Sequence, residues 1–147
     1  MINFILEPNN FNYLGVKCNV IPINFLNYHY YIILIEKCIE FFNDEIEWEG
    51  MFNINEASNR LSNGMSLYVC MGDIEPMGYV WFKEEGDQRT LFNLFFRNKN
   101  IVKKYNGQEF VSSVIETYEN NKIIFCEVDN WNEKSLKLFK KLGFQEL

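Results

Sequence analysis

The stretch Ile123-Ile-Phe-Cys-Glu-Val-Asp-Asn-Trp-Asn-Glu-Lys-Ser-Leu-Lys-Leu-Phe-Lys-Lys-Leu-Gly-Phe144 reads as a buried strand, a short polar turn and a tightly specified helix. Ile124, Cys126 and Val128 alternate with Ile123, Phe125 and Glu127, and a short apolar run of this kind suits a strand covered on both faces. Asn130 and Asn132 offer side-chain acceptors at the point where a helix starts, and its first backbone N–H groups have no partner of their own. Ser135, Leu138, Phe139 and Leu142 share one helical face. Lys134, Lys137, Lys140 and Lys141 take the other side, the last two near the negative end of the helix dipole. Gly143 stands where a left-handed residue ends a helix, and Phe144 is placed to fold back on the last turn.

These residues carry a resemblance. The string Asn132-x-x-Ser135-x-x-Leu138-Phe139-x-x-Leu142-Gly143-Phe144, directly after a strand ending in Glu127-Val128, resembles the C-terminal motif of the GCN5-related N-acetyltransferases (GNAT). In that family it usually reads N-x-x-[AS]-x-x-L-Y-x-x-x-G-F. The resemblance extends weakly over nearly the whole chain. It implies an α+β, GNAT-like acyl-CoA N-acyltransferase fold, a mostly antiparallel sheet flanked by helices. Members usually continue past Gly-Phe with further strand, whereas only Gln145-Glu-Leu147 remains here, so the fold is expected to be shortened at its C-terminus.

Size and composition agree with one domain over residues 1–147: a 17.6 kDa chain has length for a real core, and 48% hydrophobic content argues against disorder. A net charge of −6 argues against a nucleic-acid footprint, which rests on clustered cations. Cys18, Cys38, Cys70 and Cys126 are scattered without C-x-x-C spacing, and with one histidine they suggest reduced core residues of a cytoplasmic protein rather than a metal site. The N-terminal residues have no basic region or long apolar run of a signal peptide, and Tyr30 to Ile35 is too short to span a bilayer.

Taken in order, residues 2–6 and 15–21 read as short strands joined by an Asn-rich turn. Pro22 and Asn24 open a helix to about Phe42, apolar nearly all round and therefore expected to be buried, with His29 as a core histidine. Residues 43–50 form an acidic loop, and Asn53 with Glu56 in capping-box spacing starts a helix to Leu61 that ends before Gly64. Residues 66–71, 77–82 and 90–96 make an antiparallel meander whose second turn covers Glu84 to Gln88. Gly107 to Asn120 is a helix, and the strand at 123–128 is expected to run parallel to its neighbour.

The segment 97–104 carries Arg97, Lys99, Lys103 and Lys104 without an acid and feeds a helix N-terminus, a place that favours a phosphate. Read alone, it is an anion site or a solvated basic loop. By resemblance it stands where the family's [QR]-x-x-G-x-[GA] loop holds the pyrophosphate of acetyl-CoA, matched here by Lys104-Tyr105-Asn106-Gly107-Gln108-Glu109, with Glu109 in place of the small residue. The resemblance also implies that Leu94, Phe95 and Phe96 splay from the last strand and meet the pantetheine arm, and that Asn132 bonds that arm or caps the helix. Ser135 reads as a packing residue. By the same resemblance Glu127 matches the position of a general base that takes a proton from an incoming ammonium; read alone, it is equally a salt-bridged strand residue. Phe139 occupies the position of the family's acid Tyr. The acidic loop, with Glu45, Glu47, Trp48 and Glu49, would draw a cationic acceptor or is simply a solvated face. Together these features imply an acetyl-CoA-dependent N-acetyltransferase acting on a primary amine, small or peptidic, by direct attack. The alternative is a catalytically weak acyl-CoA-binding protein of the same fold. No nucleic acid or membrane partner is expected, and a homodimer would cover the sheet edge left by the short C-terminus.

Overall fold

The computed structural model describes residues 1–45, 53–97 and 104–147. A seven-stranded sheet runs in the order β2-β3-β4-β5-β6-β1-β7. Its strands are β1 (Ile2–Leu6), β2 (Val20–Ile23), β3 (Ser66–Met71), β4 (Pro76–Glu85), β5 (Gln88–Phe96), β6 (Ile123–Val128) and β7 (Gln145–Glu146). Helices α1 (Ile32–Glu45) and α2 (Ile54–Ser62) cover one face, and α3 (Gly107–Tyr118) and α4 (Glu133–Lys141) cover the other. Every strand pair is antiparallel except β5 with β6, which is parallel as the helical connection between them requires.

Alternation along the strands feeds two cores. Tyr68, Val80, Phe82, Leu91, Ile124, Cys126 and Val128 face α3 and α4, whereas Leu67, Val69, Tyr79, Trp81 and Phe95 face α1 and α2. Strand β6 is buried on the α3/α4 side alone: Ile123 and Phe125 are half-buried and Glu127 is exposed. The expected cover on both faces is therefore corrected. The reason is reach, since α1 and α2 pack on β3 and β4 and stop short of β6.

Several boundaries also differ from expectation. Residues 15–19 are not strand; Gly15 is left-handed, and the N–H groups of Leu14 and Cys18 donate to the Ser112 and Ser113 hydroxyls of α3. Pro22 lies in edge strand β2, where a missing donor is tolerated. Asn24 caps an Asx-type turn by accepting from Leu26 and Asn27, and a 3₁₀ turn over Tyr28–Tyr31 precedes the helix. Helix α1 then runs through Asp44 and Glu45, residues expected in the acidic loop. It buries only Ile35, Cys38 and Phe41, while Tyr30, Ile33 and His29 are exposed, because apolar residues all round a helix still have only one sheet to pack on. The turn expected over 84–88 is shorter: β4 continues to Glu85 and β5 begins at Gln88.

Strand β1 covers the outer edge of β6 in antiparallel register, with Asn3 opposite Glu127, and β7 pairs with β1 in turn. The two-residue β7 is thus the last strand on that side of the sheet. At the C-terminus of α4, Gly143 has φ +104° and Phe144 N–H donates to the Phe139 carbonyl at 3.0 Å, closing the helix as its sequence indicates.

The parallel junction is held by a buried charge cluster. Glu119, fully buried at the end of α3, accepts from Arg89 Nε at 2.7 Å, from Arg89 Nη2 at 2.6 Å and from the Tyr68 hydroxyl at 2.6 Å. Burial by itself would raise the Glu119 pKa, yet these hydrogen bonds and the guanidinium charge hold it below the ordinary carboxylate value. Its stabilising contribution is thus complete above the unfolded-state pKa and is lost as pH falls through the folded one. Urea denaturation at neutral pH should show Glu119→Gln less stable by about 3 kcal/mol, because the buried Arg89 is left with only the exposed Glu84, 3.3 Å from its Nη1, as a charged partner. Repeated toward pH 3, the same titration should show the variant losing less stability than the wild type.

Candidate functional site: a cleft between diverging strands

Strands β5 and β6 pair only over Gln88–Thr90 and Ile123–Phe125 and then separate. The cause lies in β5. Trp81 pairs with Phe92 and Tyr79 with Phe95, so β5 carries an extra residue against β4, and Asn93 within this bulge has φ +50°. Bulges bend the strand that holds them. Gly78 permits the close approach just beyond, since a Cβ there would lie 2.5 Å from the Phe95 carbonyl oxygen. The β6-facing backbone of the last residues of β5 is left outside the sheet pairing that the junction makes.

Beside α3 and α4, the divergence opens a groove of about 390 Å³ lined by Leu94, Phe96, Asn106, Gly107, Gln108, Asn132, Lys134, Ser135 and Leu138, with Phe95 of the α1/α2 core and Glu45 of α1 also in its lining. Two helix N-termini converge on it. Asn106 and Glu109 form a reciprocal capping box on α3: Glu109 N–H donates to Asn106 Oδ1 at 2.8 Å, and Asn106 N–H donates to Glu109 Oε1 at 3.0 Å. Glu109 is thereby turned back on its own helix, and the N–H groups of Gly107 and Gln108 lie outside the box. Asn132 caps α4 by accepting from Ser135 N–H at 3.2 Å. With Lys134 and Glu45 also in its lining, the groove gathers two positive dipole ends, one cation and one carboxylate, and the end formed by the two helix N-termini favours an anion.

On the opposite side, a second cavity of about 650 Å³ is lined by residues including Asn3, Thr90, Phe92, Asn93, Phe125, Glu127 and Asp129. Asn93 therefore faces this cavity while its neighbour Leu94 lines the groove. Burial pushes the Cys126 thiol up to about 12, with the Glu127 charge adding to the effect, so it stays protonated. Phe139 is buried against Phe144 with ring centroids 5.2 Å apart and lines neither space.

Most residues expected at a cofactor site meet in the groove, with Glu45 at its edge. Tyr105 instead packs against the core. Lys104 is exposed and bonded to Asp73 at 3.2 Å, which holds its pKa above the ordinary lysine value. Arg97 is likewise tied to Glu75 at 3.0 Å, over the Phe41 ring at 3.6 Å. Arg97 and Lys104, the described ends of the segment, thus each meet an acid of the β3–β4 turn. Lys103, Glu47, Trp48 and Glu49 lie outside the described residues. Sequence reasoning missed Lys134 and gave Ser135 only a packing role, although both follow the Asn132 cap on the side that faces the groove. It also missed Asn3, whose position depends on a pairing between the two ends of the chain.

No family model matches the sequence, and no curated protein matches it either. Solved structures do. A protein from Novosphingobium aromaticivorans DSM 12444 assigned to the GNAT family of acetyltransferases matches with TM-score 0.63 and 11% identity, over 99% of this chain and 59% of its own. The fold is that of the GCN5-related N-acetyltransferases. A metagenomic aminoglycoside acetyltransferase crystallised with sisomicin matches with TM-score 0.61 and 13% identity, over 92% of this chain and 90% of that one. A functionally unknown conserved protein from Staphylococcus epidermidis ATCC 12228 matches with TM-score 0.63 and 8% identity, over 99% of this chain and 57% of its own. The chain thus spans somewhat over half the length of two of these solved structures.

Gly107 separates fold from ligand. A Cβ there would meet Leu138 Cδ1 at 3.6 Å, an ordinary contact, and φ is not positive. Gly107→Ala should leave thermal stability unchanged or raise it by about 0.4–1 kcal/mol. An anion seated against the α3 N-terminus should nevertheless bind more weakly by calorimetry than in the wild type, because the methyl group enters the groove.

Proposed function

We propose that this protein is an acetyl-CoA-dependent N-acetyltransferase acting on a primary amine. Support comes chiefly from one observation: the strands part at a bulge, where Leu94–Phe96 line a groove with two helix N-termini and the preceding residues Thr90–Asn93 line a separate, carboxylate-bearing cavity. The residues present fit an acyl-CoA. In this reading the N–H groups of Gly107 and Gln108 hold the phosphates, aided by Lys134, and the β6-facing backbone of Leu94–Phe96 takes the pantetheine arm. When bound, acetyl-CoA supplies an acetyl thioester already activated toward an amine.

Glu127 takes the proton from the acceptor's ammonium, and Asn3, opposite it in register, and Thr90 help to hold the acceptor. The free amine forms the N–C bond as the C–S bond breaks, and the leaving thiolate draws its proton from water, since Phe139 has none to give. A thiolate is a fairly good leaving group, so this loss slows the reaction without forbidding it. Glu127 and Asp129 in the cavity, together with the acidic net charge, favour a cationic amine, either a small molecule or a peptide. Four free, buried cysteines fit a cytoplasmic protein, and among the described residues no helix is long and apolar enough to cross a membrane.

The burial of Phe139 favours a second reading, an acyl-CoA-binding protein that turns over slowly or not at all. Amine-dependent release of thiol from acetyl-CoA separates the two. Glu127→Gln should lower kcat by about 10²–10⁴-fold while leaving acetyl-CoA affinity unchanged. Thiol release that ignores both the added amine and this substitution would remove the enzyme reading.

A further inference from the structure

We infer that Arg60 is a positioning residue: its side chain holds Asn93 in the left-handed bulge that gives the cleft its shape. This rests on the acetyltransferase reading only for its consequence on turnover; the latch itself stands on geometry. Arg60 Nη1 donates to Asn93 Oδ1 at 2.8 Å, a contact from α2 to β5 across thirty-three positions of sequence. The guanidinium is itself fixed. Nη2 donates to Glu56 Oε1 at 2.9 Å, and the planar head lies over the rings of Trp81 at 5.1 Å and Phe92 at 5.2 Å. Trp81 and Phe92 are the last paired residues before the bulge, so the same side chain grips both strands where the register changes.

A left-handed asparagine is among the least unfavourable of non-glycine choices, yet it persists only when its surroundings over-determine it. Here Arg60 supplies a fixed donor for the one polar side chain in an apolar run, Leu91-Phe-Asn-Leu-Phe-Phe96. Asn93 is the point where β5 passes from one space to the other: it lines the Glu127 cavity, and the next residue, Leu94, lines the groove. If the bulge relaxes, the register beyond it slips, and Leu94, Phe95 and Phe96 exchange faces of the sheet. The groove wall and the core contact of Phe95 are then lost together. Arg60 thus acts at a distance from both spaces, through the backbone it pins.

The decisive comparison is Arg60→Leu, which retains apolar cover over Trp81, against Arg60→Leu combined with Asn93→Gly. Glycine adopts positive φ without a side-chain anchor. Arg60→Leu should lower kcat about 10²-fold, the order expected when reacting groups are misplaced from afar, and should move the Asn93 ¹³Cα shift away from its left-handed value. The double variant should regain most of the lost turnover. A plain role in anchoring α2 would predict no such rescue. An unchanged Asn93 shift in Arg60→Leu, or a double variant no more active than Arg60→Leu, overturns the inference. Should the wild type itself lack turnover, the acetyltransferase reading fails on its own, and the Asn93 shift still decides the latch.

Discussion

The ion pair between Arg89 and Glu119 is the contact on which the remaining architecture depends. It ties the start of β5 to the end of α3, with Tyr68 of β3 as a third member, and it stands where β5 and β6 run in parallel. A buried pair of this kind contributes little net stability compared with apolar packing, but breaking one partner is costly. Its value here is geometric. With the lower ends of β5 and β6 fixed, the bulge at Asn93 can bend β5 away from β6 without the sheet separating altogether. The cleft is a consequence of one junction that holds and one that is made to open.

Chain direction adds the electrostatics. Because β5 and β6 are parallel and each leads into a helix, α3 and α4 both begin at the open end of the cleft. Two dipoles therefore point their positive ends at one groove, an outcome of topology rather than of basic residues. This matters because the two described basic residues of the 97–104 segment, Arg97 and Lys104, are drawn to Glu75 and Asp73 on the β3–β4 turn. On the other side of the sheet, α1 and α2 stop short of β6, so Glu127 remains open to solvent beside Asn3. The incomplete helical cover that leaves β6 half-bare is what makes a second cavity possible.

Legibility in sequence followed contact range. The C-terminal helix, its Asn132 cap, the Gly143 stop and the capping at Asn53 are local interactions, and each appears as the residues indicate. The meander over β3–β5 and the parallel β6 were likewise readable from alternation and connection length. The start of α1 was not, because Pro22 and Asn24 serve equally as an edge-strand residue and a turn cap. The β1–β6 pairing joins the chain's two ends and leaves no local mark. Asn93 was visible as a lone polar residue in an apolar strand, but its left-handed conformation depends on Arg60, far away in sequence.

The most direct measurement is amide hydrogen exchange with and without acetyl-CoA. Exchange should slow at Leu94–Phe96, at Gly107 and Gln108 and in the first turn of α4, with the surface around Tyr30 and Ile33 unaffected. No slowing at millimolar acetyl-CoA, or slowing confined to surfaces away from the cleft, would contradict acyl-CoA binding in the cleft.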